Sequence, residues 1–230
     1  MKYEEYRAYK NLDLSSGRVY DVPDGKFPSV TTVLSQTANK PALEAWKNRV
    51  GPEEVARTLK RASERGTILH DTLEHFLQEY PCPSISDARD FVGRENFVAL
   101  EPSLQAQIKK IMKKLIANNF RALGLEFVVW DAELGYAGRL DAIGYWGETL
   151  VIVDFKSSAK KKKREYVQDY YLQATAYCNA HNKLFDEQVN QFVILVSSEE
   201  DTMQPYMGHY LNFLPEFKNR VRQYYEQRNK

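Results

Sequence analysis

Near residue 125 the hydrophobic pattern changes period, and that change restricts the chain to folds that set helices against one sheet. Leu125–Asp131, Tyr136–Tyr145 and Thr149–Phe155 read as three strands, with Gly135 and Trp146-Gly147-Glu148 in the turns between them. A helix over about 165–183 follows. Gln191–Val196 is a strongly apolar strand, Met203–Tyr210 a further one, and residues 212–228 close with a helix. Three antiparallel strands, a helix and then another strand predict an α/β sandwich of one sheet with helical cover.

The first half is patterned differently. Residues 1–27 carry turn signals at Ser15-Ser16-Gly17 and Pro23-Asp24-Gly25 and read as a hairpin or arm. Pro28–Leu34 is β-branched and suits either a strand or the start of a helix. Residues 41–50 and 52–63 read as helices separated by Gly51-Pro52, a break with a proline well placed to restart. Gly66 precedes a further helix over about 67–80, whose buried stripe is Leu69, Leu73, Phe76, Leu77 and Tyr80. Residues 81–87 read as a loop and 101–122 as a long helix. We expect one domain over 28–230, with its helical part at about 41–122 and its sheet at about 125–230.

The apolar run Leu150-Val151-Ile152-Val153 ends in Asp154-Phe155-Lys156-Ser157-Ser158. A carboxylate and an ammonium at the mouth of a buried strand are costly unless paired, metal-bound or used. Upstream, Gly138-Arg139-Leu140-Asp141 puts a second carboxylate on the preceding strand. Two carboxylates and a lysine suit metal-assisted phosphodiester cleavage, where hard cations take oxygen ligands and lower the pKa of bound water. Asp141, Asp154 and the Phe155 carbonyl are candidate ligands. Lys156, two residues beyond Asp154, projects to the same side and can stabilise developing phosphate charge. An isolated Asp-x-Lys is more often a surface pair; the Gly-x-x-Asp strand beside it favours the functional reading.

His70 is a further candidate ligand, with Glu74 one turn on. Gln173 and Tyr177, also one turn apart, are candidates to contact phosphate, base or Lys156. The run Lys160, Lys161, Lys162, Lys163 and Arg164 follows the proposed site closely enough to grip a nucleic-acid backbone. Arg57, Lys60, Arg61 and Arg65 form a second basic patch. Each also has a bland reading, as packing or a solvated face.

Composition excludes several classes. A net charge of +1 means that nucleic-acid contact must come from local clusters. Cys82 and Cys178 stand in no ligand spacing, so neither a disulfide scaffold nor a four-cysteine iron–sulfur cluster is expected. No apolar run approaches the ~18 residues of a membrane span, and the start lacks signal- or transit-peptide character. A cytoplasmic setting, with no membrane partner, is the expectation. No phosphate-binding loop of the G-x-x-x-x-G-K-[ST] type occurs, so no nucleotide cofactor or motor is expected.

His70 within Arg65–His70, Asp141, the Asp154/Lys156 pair and the Gln173…Tyr177 helix together resemble the PD-(D/E)xK nuclease superfamily, and within it the RecB-type exonuclease branch. Pro28-Ser29-Val30-Thr31, the Leu43–Trp46-Lys47 helix, the His70…Glu74 pair and Asp154–Ser158 are most similar to the mitochondrial genome maintenance exonuclease group. The resemblance runs from about residue 28 to the end. It implies a restriction-endonuclease-like core: a central mixed sheet flanked by helices, with a helical region over the active site. It further implies a Mg²⁺-dependent exonuclease, with Mn²⁺ substituting, acting on single-stranded DNA with free ends in replication, repair or recombination. His70, Asp141, Asp154 and Phe155 are then metal ligands, and His70, Asp141, Asp154 and Lys156 catalytic. DNA contacts fall to Glu74, Ser157, Lys160–Arg164, Gln173, Tyr177, Arg61 and Arg65. A free-standing bacterial or phage enzyme is expected, with other replication or recombination proteins as possible partners. The alternatives are a structure- or sequence-selective endonuclease on the same fold and a non-catalytic DNA-binding accessory module.

Overall fold

The computed structural model describes residues 3–38, 41–163, 166–200 and 202–228. The chain begins with a short helix, α1 (Glu4–Arg7), and a three-stranded antiparallel sheet of β1 (Asn11–Leu14), β2 (Gly17–Val22) and β3 (Gly25–Pro28). The segment after Pro28, open between strand and helix, is the helix α2 (Val30–Gln36). Ser29 caps it by accepting the Thr32 N–H at 3.0 Å, satisfying one of the otherwise orphaned first-turn donors.

Helices α3 (Pro41–Val50) and α4 (Pro52–Glu79) follow. Sequence reasoning divides α4 at Gly66, but the helix is continuous across it. One helical glycine costs only about 1 kcal/mol against alanine, and tertiary packing beyond it supplies more than that. Residues 81–87, expected as a loop, hold the start of α5 (Ile85–Val92), nucleated by a Ser84/Asp87 capping box. After α6 (Glu95–Val98) comes α7 (Pro102–Ala117), which ends earlier than the periodicity suggests. Asn119, at φ 49°, turns the chain into the first strand of the main sheet; asparagine tolerates this left-handed conformation better than most residues.

The main sheet comprises β4 (Arg121–Asp131), β5 (Tyr136–Trp146), β6 (Thr149–Ser158), β7 (Gln191–Ser198) and β8 (Met203–His209), in that order. Only β6 and β7 are parallel, with Asp154 opposite Ile194. Helix α8 (Gln168–Leu184) supplies the crossover that parallel pairing demands, and α9 (Leu214–Arg228) ends the chain. This is a mixed central sheet flanked by helices, as expected.

Alternation along the strands builds two cores. Ile152, Phe192, Ile194 and Val196 pack with Val30 and Val33 of α2, Leu172 and Ala176 of α8, and Phe217 of α9. Val151, Val153, Phe155, Val193 and Leu195 pack with Leu69, Leu73 and Phe76 of α4 and with Ile108, Ile111 and Leu115 of α7. Each large apolar side chain buried this way contributes about 1.5–3 kcal/mol. A smaller cluster of Tyr20, Val22, Val128, Trp130 and Ala137 fastens the N-terminal sheet onto β4 and β5.

Candidate active site

Strands β5 and β6 pair from Trp146/Thr149 to Ala142/Val153 and then separate. Asp141 and Asp154, the next residues on each strand, stand in the resulting fork. The Phe155 N–H, released from strand pairing on that side, donates to Asp141 Oδ2 at 2.6 Å. In an extended strand the N–H and C=O of one residue point the same way, so the Phe155 carbonyl opens on the fork as well.

Helix α4 crosses this opening and brings His70 to it. His70 Nδ1 lies 3.3 Å from Asp141 Oδ1 and 3.8 Å from Glu126 Oε1. Ligand atoms of His70, Glu126 and Asp141 all lie within 4.8 Å of one another. Lys156 Nζ sits 2.6 Å from both Asp154 oxygens and donates its hydrogen bond to Oδ1, while the Tyr170 ring centroid lies 5.6 Å from the ammonium. Asp154 is fully buried, and the Lys156 ammonium is the ion-pair partner of both its oxygens. An imidazole and two carboxylates clustered this closely, with the Asp154 carboxylate at the same fork, form a donor set that fits a divalent cation.

The charges perturb one another. Burial alone would push the His70 imidazole down, but the Asp141 charge and hydrogen bonds to Asp141 and Glu126 outweigh it and raise it to about 10. Burial pushes Asp154 up to about 6, against the pull of Lys156 and with the Asp141 charge adding to the rise. For Asp141 burial is again the largest influence and acts upward, but His70 and Lys156 together hold the carboxyl below its usual range. Lys156 is raised: desolvation opposes the charge, and the Asp154 and Asp141 carboxylates overcome it.

Glu126 escaped the sequence reading. The signal was a lone carboxylate inside Leu125–Val129, but alternation alone does not aim it at Asp141. Its backbone does so, with φ 47° in the left-handed region, which costs about 1–2 kcal/mol for a residue with a Cβ. There β4 changes face: Leu125 packs in the α4/α7 core and Phe127, two residues on, in the α8 core. Opposite, Leu140 and Ala142 of β5 make the same exchange about Asp141. Both carboxylates thus leave the regular strand pattern at one level of the sheet.

A cleft of about 230 Å³ opens here, walled by His70, Glu126, Asp141 and Lys156 and by Gln173 and Tyr177 of α8. Gln173 Nε2 donates to the Tyr177 hydroxyl at 2.9 Å. Gly138 explains its own identity: a Cβ there would meet the Tyr177 ring at 2.6 Å. The far wall includes Asn11, Arg18 and Tyr20 of the N-terminal sheet.

A match to the family model of the PD-(D/E)XK nuclease superfamily runs over residues 44–228 and takes in α4, the fork and α8. The chain belongs to the PD-(D/E)XK nuclease superfamily. Nucleases of this superfamily generally use divalent metal ions, and the donor set at the fork suits one. The superfamily member is 27% identical over 201 residues to mitochondrial genome maintenance exonuclease 1 of Xenopus tropicalis, covering 82% of this chain and 53% of that protein. It is 26% identical to the human protein of the same name, over 81% of this chain and 53% of that protein. It therefore spans about half the length of the curated relatives it matches. Among solved structures, a candidate exonuclease from Eubacterium rectale is similar at TM-score 0.43 and 13% identity, over 72% of this chain and 68% of that one.

Other candidate residues of this nuclease-superfamily chain lie apart from the fork. Glu74 faces α1, paired with Arg7 at 2.5 Å. Arg65 turns inward, against its surface appearance in the sequence. It is buried, ion-paired to Glu101 and bonded to Ser103 and Gln107. Arg61 remains exposed and pairs with Glu199; with Arg57, Ser157 and Ser158 it lines a second groove beyond β6. Lys160, Lys161 and Lys163 are exposed, and the backbone of this loop is held by Glu200 and Gln204. Arg164 lies outside the described residues. Among the described residues no helix is long and apolar enough to cross a membrane.

Proposed function

We propose that this chain is a Mg²⁺-dependent exonuclease that hydrolyses phosphodiester bonds of single-stranded DNA from free ends, in DNA replication, repair or recombination. The observation that carries the reading is the convergence of His70, Asp141, Asp154 and Lys156 at the β5/β6 fork, with the Lys156 ammonium 2.6 Å from both oxygens of the buried Asp154. Two further facts support it: the superfamily membership, and curated relatives named as exonucleases of mitochondrial genome maintenance.

In this reading His70, Glu126, Asp141, Asp154 and the Phe155 carbonyl hold the metal. When bound, Mg²⁺ supplies a Lewis acid and lowers the pKa of a coordinated water, and Mn²⁺ substitutes. Lys156 retains its proton beside Asp154 and presents fixed positive charge where negative charge develops on the phosphate. Gln173 and Tyr177 form the wall against which a nucleotide is oriented. The exposed lysines of 160–163 and Arg61 attract the backbone at longer range.

The test is degradation of end-labelled linear and circular single-stranded DNA, with Mg²⁺ or chelator, by wild type, Asp154→Ala and Lys156→Ala. Loss of linear DNA only, dependent on metal and on both residues, is expected. Cleavage of the circle selects an endonuclease instead, and metal-independent binding without cleavage selects an accessory module.

A further inference from the structure

Arg139 is the second residue of the Gly138–Asp141 segment, yet it is not one of the group around His70. It lies opposite Val128 in the β4–β5 ladder and reaches along β4 instead. Its Nη1 donates to the Glu126 carbonyl at 2.7 Å and its Nη2 to the Tyr9 carbonyl at 2.8 Å. Glu126 is the one residue within the main sheet's strands, among those described, that is not glycine and has positive φ. Released from constraint, such a residue relaxes toward extended backbone, and in a strand that re-aims its side chain. Tyr9 belongs to the N-terminal segment, outside the residues 44–228 that carry the family match.

We propose that Arg139 is a positioning residue that locks the left-handed backbone of Glu126, with the Tyr9 carbonyl as its second anchor, and thereby aims the Glu126 carboxylate at His70 and Asp141. The proposal rests on the reading of that trio as a metal site. A guanidinium suits the task because its rigid fork donates to two carbonyls from separate segments at once, and an ammonium does not reproduce that. The N-terminal segment thus has a place in the geometry of the site beyond covering the sheet. Arg139 also lines the cleft, so direct contact with a phosphate is the competing role.

The roles separate on the full chain with Mn²⁺ alone as probe, its binding followed by electron paramagnetic resonance. Arg139→Met weakens Mn²⁺ binding by about 10-fold or more, as losses of residues that orient metal ligands do. Glu126→Gln weakens it comparably, and the double variant binds no worse than Glu126→Gln alone, because both changes remove one interaction. Single-stranded DNA binding in chelator is unchanged in Arg139→Met. Should Arg139→Met fail to fold by circular dichroism, Arg139→Lys is read, with weakened Mn²⁺ binding again expected. Wild-type Mn²⁺ affinity in a folded Arg139 variant overturns the proposal, as do losses that multiply in the double variant or a loss confined to DNA binding. Intact Mn²⁺ coupling without any DNA cleavage overturns the exonuclease reading and leaves this one standing.

Discussion

His70 Nδ1 lies 3.3 Å from Asp141 Oδ1, so a helix and a strand from different halves of the chain meet in a single charge pair. Its pH dependence has a definite sign. The imidazole is raised from 6.5 to about 10, so in metal-free protein the pair's stabilisation is fully present below 6.5 and is lost as pH rises through about 10. His70→Gln in chelator therefore lowers Tm more at pH 6 than at pH 10. Equal losses at both values remove the pairing argument.

Metal binding has the opposite dependence. Asp154 is raised to about 6 and His70 carries a proton until about 10. Both must be deprotonated to act as ligands, so affinity for Mg²⁺ or Mn²⁺ increases from pH 5 to pH 8 and binding at pH 8 releases a proton. Calorimetry in buffers of different ionisation enthalpy measures that release, and His70→Gln reduces it.

Lys156 and Asp154 fail differently when removed. Lys156→Ala takes away charge at the phosphate and lowers kcat by about 10²–10³-fold, with metal affinity little reduced. Asp154→Ala lowers both metal affinity and kcat, and leaves the Lys156 ammonium without its carboxylate partner. Metal titration beside steady-state kinetics distinguishes the two.

Glu126 and Glu74 offer a paired comparison. Glu126 lies within 4.8 Å of both His70 and Asp141 donor atoms, whereas Glu74 is engaged by Arg7. Glu126→Gln reduces nuclease activity and Mn²⁺ affinity; Glu74→Gln leaves Mn²⁺ affinity unchanged. Equal effects would refute the assignment of Glu126.

Gly138→Ala tests packing alone. Its Cβ would stand 2.6 Å from the Tyr177 ring, which lies against buried neighbours and has little room to retreat. Overpacking of this kind costs about 1–3 kcal/mol. Thermal unfolding shows a Tm lowered by about 2–4 °C for each kcal/mol.

The sheet and the Asp154/Lys156 pair were legible because they depend on local pattern: an apolar run that ends in two charges declares its own anomaly. Gly66 misled because glycine is punctuation only where packing does not override it, and Leu69, Leu73 and Phe76 bury the helix that continues beyond. Arg65 read as surface because a pairing with Glu101, Ser103 and Gln107 is tertiary and leaves no trace in spacing. Glu126 stayed hidden because a reversed face within a strand requires a backbone angle that no sequence periodicity encodes.

Helix α4 is exposed over most of residues 52–64 and anchored in the core from Arg65 onward. Its 28 residues extend about 42 Å. An isolated helix as short as the exposed half is marginal in water. One rod therefore has two thermodynamic characters: a forward part that opens and recloses at little cost, and a rear part bearing His70 that opens only when the hydrophobic interior does. Amide exchange along α4 should fall steeply after Gly66, and a bound strand resting on the forward part would slow exchange there, at a cost in ordering entropy, without disturbing the imidazole behind.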